Sequence, residues 1–246
     1  MKKSSNFARL TGLSLLGALA ALVGGLSKYP SFDARSQYFP LSIPSLIETQ
    51  GEFAIALAFL ALAGILLVLA GIASIFAFSH SGSRNLIPGI ILTASGGGFL
   101  LSAALGQPAH RILAAAKVLS AADGRAHAAT AHPWASASQS ALLMIGLGFL
   151  ALGLLALIVV MLRAGAFSRR AIVIALGLPV VLWLVIALTI EGAPLVWLVP
   201  GLPAIVWIVG LGLFMTVTGR VVAPVPGSPH NNSLERTGDA APEAGA

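Results

Sequence analysis

The chain of 246 residues is 57% hydrophobic and only 9% charged, a balance that cannot cover a soluble surface and points to a bilayer as solvent. It contains no cysteine, which excludes disulfides, thiolate metal centres, cysteine nucleophiles and dithiol redox chemistry. The formal net charge of +6 does not point to nucleic acid, because the basic residues flank apolar runs and never cluster with exposed aromatics.

Lys2, Lys3 and Arg9 precede an uncharged apolar run, residues 10–26, which is just long enough to span and ends at Lys28. A basic start before an apolar stretch also fits a secretory signal peptide; a run longer than the roughly 7–15 residues of a signal core favours a retained helix. Residues 27–52 form a polar segment broken by Pro30, Pro40 and Pro44, with Tyr29, Phe32, Tyr38 and Phe39. Such aromatics suit the membrane–water boundary, either as anchors or in a loop that contacts a ligand.

Residues 53–78 run without a charge, ample for a tilted second span. A polar turn from His80 to Asn85 leads to a third span over 86–105, with Pro88 in its first turn, where a missing donor costs nothing. Residues 107–138 are expected to be the longest loop. Within it, 109–122 has apolar residues near helical spacing with His110, Arg111 and Lys117 interleaved, which predicts a short helix lying at the interface and terminated by Gly124. A fourth span covers 139–162 and a fifth covers 171–190, kinked at Pro179. The sixth lies within 195–219, and Pro200, Gly201 and Pro203 predict a break or a start near Pro203. Residues 221–246 are rich in Pro, Gly, Ala and Asn without apolar periodicity, so they read as a disordered tail. The predicted fold is an all-α bundle of six transmembrane helices (about 10–26, 53–78, 86–105, 139–162, 171–190 and 195–219), forming one domain over 1–220.

Charge then sets the orientation. With the N-terminus inside, Lys2, Lys3, Arg9, Arg84, Arg163, Arg169, Arg170, Arg220 and Arg236 are cytoplasmic, while Lys28, Arg35, Arg111, Lys117 and Arg125 are outside. Positive-inside bias is satisfied at every short connection, most sharply at the turn carrying Arg163, Arg169 and Arg170 and no acid. Both termini are thus expected in the cytoplasm. These three arginines are also the expected contact with anionic lipid headgroups. Trp134 and Trp197 fall near the outer boundary.

No Asp, Glu, Lys, Arg or His lies well within any expected span, which argues against a coupled ion transporter, since moving charge needs ionisable groups at membrane depth. Small residues remain: Ser95-Gly96-Gly97-Gly98 and Ser102 in the third span, Gly64 and Gly71 in the second, and Gly146, Gly148 and Gly153 in the fourth. Tight helix packing is the ordinary use of such residues; a flexible or substrate-contacting break is the functional one. Ser95-Gly96-Gly97-Gly98 follows no strand and precedes no lysine, so it is neither a phosphate loop nor a nucleophile elbow. His110, His127 and His132 share the outer loop with Asp123, but a spacing of five is not a same-face helical pair and no HExxH pattern is present. His80 and His110 stand at opposite ends of two spans, which disfavours haem. Glu191 with Glu48 or Glu52 could form an outer carboxylate pair, with solvated loop charges as the ordinary alternative. No catalytic residue, cofactor or metal site is assigned.

From Gly148 to Arg220 the pattern is an apolar span ending Val160-Met161-Leu162-Arg163-Ala164-Gly165, a Phe167-Ser168-Arg169-Arg170 turn, a Gly/Leu-rich span, a Gly-Pro outer turn and a final span closing in Thr218-Gly219-Arg220. Together with the opening Phe7-Ala8-Arg9-Leu10-Thr11-Gly12-Leu13, it resembles uncharacterised bacterial multi-pass integral membrane proteins of unknown function. The resemblance carries over no activity; abundant Ala, Gly and Leu with a short, compact set of loops suggest a bacterial inner membrane. A non-enzymatic accessory or sensory membrane component, its outer loops meeting a membrane-protein partner or apolar ligand, is the expected function. The alternative is an uncoupled carrier or channel for a small neutral or lipophilic solute, which needs a polar stripe that the sparse Ser95, Ser102, Thr189 and Thr216 make hard to build. A membrane enzyme ranks third.

Overall fold

A computed structural model describes residues 2–28, 47, 50–79, 83–119, 121–163 and 195–219. Among these residues the chain is wholly helical: α1 Lys2–Ser27, α2 Gln50–Phe78, a 3-10 turn Ser83–Leu86, α3 Ile87–Val118, α4 Ala121–Arg163 and α5 Leu195–Thr218. Four segments are long and apolar enough to cross a membrane: Ser5–Gly25, Gln50–Phe78, Ile87–Val118 and Ala141–Arg163. The protein is therefore a multi-helix membrane protein. The expected fifth span at 171–190, the Arg169 and Arg170 part of the basic turn, and the tail 221–246 lie outside the described residues.

The helices pack in a ring in which α1 and α2, α2 and α3, α3 and α4, and α5 and α1 are antiparallel, while α4 and α5 run parallel. The Phe7 and Phe76 rings stack with centroids 5.2 Å apart, while Gly25 near the end of α1 lies against Phe59 and Ala56 near the start of α2. In the same way Gly64 meets Gly96 and Gly71 meets Gly89 between α2 and α3, and Gly98 meets Gly146 between α3 and α4. α5 closes the ring on α1 through Gly12 and Gly212. The start of α1, the 3-10 turn, the end of α4 at Arg163 and the end of α5 at Gly219 consequently share one end of the bundle. The start of α2, the α3–α4 connection and the start of α5 share the other.

Seven-residue spacing explains this packing. On α2 the buried residues recur as Ala56–Ala63–Ala70–Ala77, Leu57–Gly64–Gly71–Phe78 and Leu60–Leu67–Ser74. The same interval links Gly89, Gly96 and Ala103 on α3, and Leu143, Leu150 and Leu157 on α4. A 3.5-residue period keeps one seam facing a partner along the whole helix, the condition for left-handed antiparallel packing. The opposite face of α2 carries Ile55, Leu62, Leu69 and Phe76, all more than 40% exposed. These span about 32 Å at 1.5 Å per residue, close to the ~30 Å hydrocarbon core. Both faces are apolar, but the small residues Ala, Gly and Ser gather on the inward one, with Leu along it and Phe53 and Phe78 toward its ends. Inward small residues fit lipid surroundings, where backbone approach rather than exclusion of water drives association.

Three expectations change. Residues 107–138 are not a loop with an interfacial helix: α3 continues through Pro108 to Val118, and α4 starts at Ala121. Gly124 does not terminate a helix but is buried against the Ala116 carbonyl, within a helical hairpin. α5 is unbroken from Leu195 to Thr218 despite Pro200 and Pro203. Further, α1 begins at Lys2 and so takes in Lys2, Lys3 and Arg9.

Candidate functional site

The buried centre is one apolar cluster drawn from all five helices, filled by Leu15, Leu60, Leu67, Leu92, Phe99, Leu150, Leu154, Leu157 and Met161, none more than 1% exposed. Among the described residues, polar side-chain atoms enter it as hydroxyls. Ser95 donates to the Gly146 carbonyl at 2.8 Å, a buried bond between α3 and α4. Thr93 turns back to the Gly89 carbonyl at 2.8 Å and Thr11 to the Phe7 carbonyl at 2.9 Å, so both satisfy themselves within their own helix. Ser102 is fully buried. Two buried hydroxyls, Ser74 Oγ and Thr216 Oγ1, have no hydrogen-bond partner. Each faces a glycine of the adjacent helix, Gly89 and Gly12 respectively, where a Cα–H can meet the oxygen weakly.

The four-residue stretch Ser95-Gly96-Gly97-Gly98 is divided between two partners. A Cβ on Gly96 would lie 2.6 Å from the Gly64 carbonyl oxygen, and one on Gly98 would lie 3.0 Å from the Gly146 Cα. Gly97 meets nothing within 4 Å. Successive helical residues are turned by about 100°, so Gly96 and Gly98 face opposite neighbours. The helix runs unbroken through all three glycines, and Gly96 and Gly98 act as packing notches while Gly97 does not. Gly153 seats Leu92 and Ile91 in the same manner.

The far end carries the chemistry-bearing side chains. His110 is half-buried on α3; Arg111, Lys117, Asp123 and His127 are exposed on α3 and α4, and Glu52 is exposed at the start of α2. Among the described residues no three of His, Cys, Asp and Glu assemble into a metal-binding group. His127 and position 132 both lie on helical α4, and five residues turn a helix by about 500°, so the two positions point some 140° apart. Glu48 and Glu191 lie outside the described residues, as do the side chains of Arg125, His132, Trp134 and Trp197. At the opposite end Arg9 and Arg163 are exposed. Arg9 also packs beside Gly219, which takes φ 58° and donates its N–H to the Met215 carbonyl at 3.0 Å. That left-handed residue ends α5, and the arginine faces a helix C-terminus that favours positive charge.

Three features were not drawn from the sequence. The Gly12–Gly212 contact joins residues 200 positions apart in the chain, beyond the reach of any local pattern. The seven-residue period was hidden because hydropathy is the same on both faces. A second, smaller apolar cluster lies toward the far end: Phe53 and Leu57 of α2 with Ala109, Leu113 and Ala116 of α3, and Ile47 packed against them. It supports the hairpin whose tip presents Val118, 88% exposed, and Leu119. Comparison with protein-family models, curated proteins and solved structures finds no match in any of the three.

Proposed function

We propose that this chain is a bacterial inner-membrane protein of six spans with both termini cytoplasmic, acting as a non-enzymatic accessory or sensory component. Its contact element is the α3–α4 hairpin. α4 finishes at the Arg163 end and α5 starts at the opposite end, which supports a further crossing at 171–190. Arg9 and Arg163 stand on the same end as the 3-10 turn, which supports a cytoplasmic basic face by the positive-inside rule. Arg163, Arg169 and Arg170 meet anionic headgroups there, at about 1 kcal/mol each.

The observation that carries the functional reading is the contrast between a filled centre and an exposed apolar tip. Leu60, Leu67, Leu92 and Phe99 occupy the middle of the bundle, whereas Val118 and Leu119 stand exposed at the tip of a helical hairpin. A carrier or channel needs a hydrated path through the middle, so transport of a neutral solute ranks second. A photo-crosslinking side chain at Val118 tests the proposal in native membranes. It should give a discrete protein adduct that the same group at lipid-facing Ile90 does not give. Solute uptake into vesicles containing the purified protein, with no tip-dependent adduct, would replace this reading by transport.

A further inference from the structure

We propose that the outer part of the α3–α4 hairpin is a hinged arm that swings on the membrane bundle about a joint formed by Pro108 and Pro133. Both prolines lie inside continuous helices. Proline has no backbone N–H, so the carbonyls of Ala104 and Ala129 lose their intrahelical donors. Ala104 and Pro108 are exposed, so water or headgroups can satisfy the freed oxygen whatever the bend. The two weak points are level. Gly124 packs on Ala116; eight residues back from Ala116 reaches Pro108, and nine residues on from Gly124 reaches Pro133. The mismatch of one residue is about 1.5 Å of helix.

Among the described residues, the packing of α2 against α3 divides at the same height: the main cluster reaches no further than Ala103 on α3 and Leu60 on α2, and the outer cluster takes over at Ala109 and Leu57. Between Ala103 and Ala109 the buried α3 residue is Gly106, so no large side chain of α3 interlocks across the joint. α2 contains no proline and runs past this level as one continuous helix, the post against which the arm rests. The arm rests against that post through Leu113, with the small, smooth Ala109 and Ala116 on either side. Released, it uncovers Phe53 and Leu57. Sharp bends in helices concentrate at prolines, and a pair at one height lets both strands of a hairpin bend together. This gives the hairpin two positions with α2 as the stop, and it stands whether or not the tip binds a partner.

The absence of cysteine makes the motion directly measurable. Val118→Cys on the arm and Val23→Cys at the exposed end of α1 would carry a spin-label pair, with Leu10→Cys and Ile90→Cys as a pair within the bundle, all in lipid vesicles. The arm pair should show a broad or two-peaked distance distribution, the bundle pair a single narrow one. Pro108→Ala with Pro133→Ala should collapse the arm distribution to one narrow peak. With the prolines intact, Leu113→Ala should weaken the rest against α2 and shift the population toward the second distance. An arm distribution as narrow as the bundle pair, unmoved by Leu113→Ala, would overturn the hinge.

Discussion

Within Ser95-Gly96-Gly97-Gly98 adjacent positions meet different neighbours, so substitution there discriminates packing from flexibility. Gly96→Val brings a Cβ to 2.6 Å of the Gly64 carbonyl oxygen and 2.7 Å of the Val68 nitrogen. Backbone cannot yield as a side chain does, and the loss should be roughly 1–3 kcal/mol, the range for overpacking. Gly97→Val meets open space and should leave stability nearly unchanged, apart from a small helix-propensity term. Denaturant titration of the purified protein, followed by helical signal, would separate the two; equal loss at both positions would contradict the packing role. Ser95→Ala removes the bond to the Gly146 carbonyl and should cost about 0.6 kcal/mol, the mean for interhelical bonds in membranes. Thr216→Val should be close to neutral in the same titration, because that hydroxyl has no partner to lose. The sequence reading favoured packing for these glycines and could go no further. Three identical residues in a row do not reveal which one faces a neighbour; that depends on Gly64 and Gly146, far away in the chain.

α3 and α4 outrun the apolar stretches from which their spans were read, because hydropathy and helicity stop at different places. Hydropathy falls near Gln107 and rises again near Ser138, which predicted a loop. The intervening residues are instead rich in alanine, from Ala114-Ala115-Ala116 to Ala128-Ala129, and alanine is the strongest helix former. Helix therefore continues where membrane-length apolar character does not. Gly124 was misread for a related reason: a glycine near a helix end signals termination, but here it lets α4 approach the Ala116 carbonyl. Gly124→Val should pry the tip of the hairpin apart. Amide hydrogen exchange should quicken over residues 110–128 while Leu60–Leu67 and Leu150–Leu157 stay protected. Faster exchange throughout would mean that the hairpin and the bundle form one cooperative unit.

At the scale of the molecule, the helical membrane character was legible, because long uncharged apolar runs leave few other ways to satisfy the backbone, and the charge at short connections yields an orientation that can be tested. A reporter fused after Arg220 should remain cytoplasmic, and one inserted at Leu119 should be exported; the reverse would invert the orientation. Replacing Arg163, Arg169 and Arg170 together by glutamine should raise the fraction of inverted chains in the same assay, with the folded bundle otherwise intact. Closure of the ring was not legible, since Gly12, Gly212 and Thr216 are unremarkable until they meet. That closure joins a helix made early to one made late. At about 5–20 residues per second, α1 waits on the order of 10–40 s after synthesis before α5 emerges to cover Gly12. Through that interval the narrow glycine face of α1 is left to lipid or to the insertion machinery. A chain halted before Leu195 stays in that state, so a membrane protease that surveys incomplete bundles would find its signal in the uncovered Gly12 face.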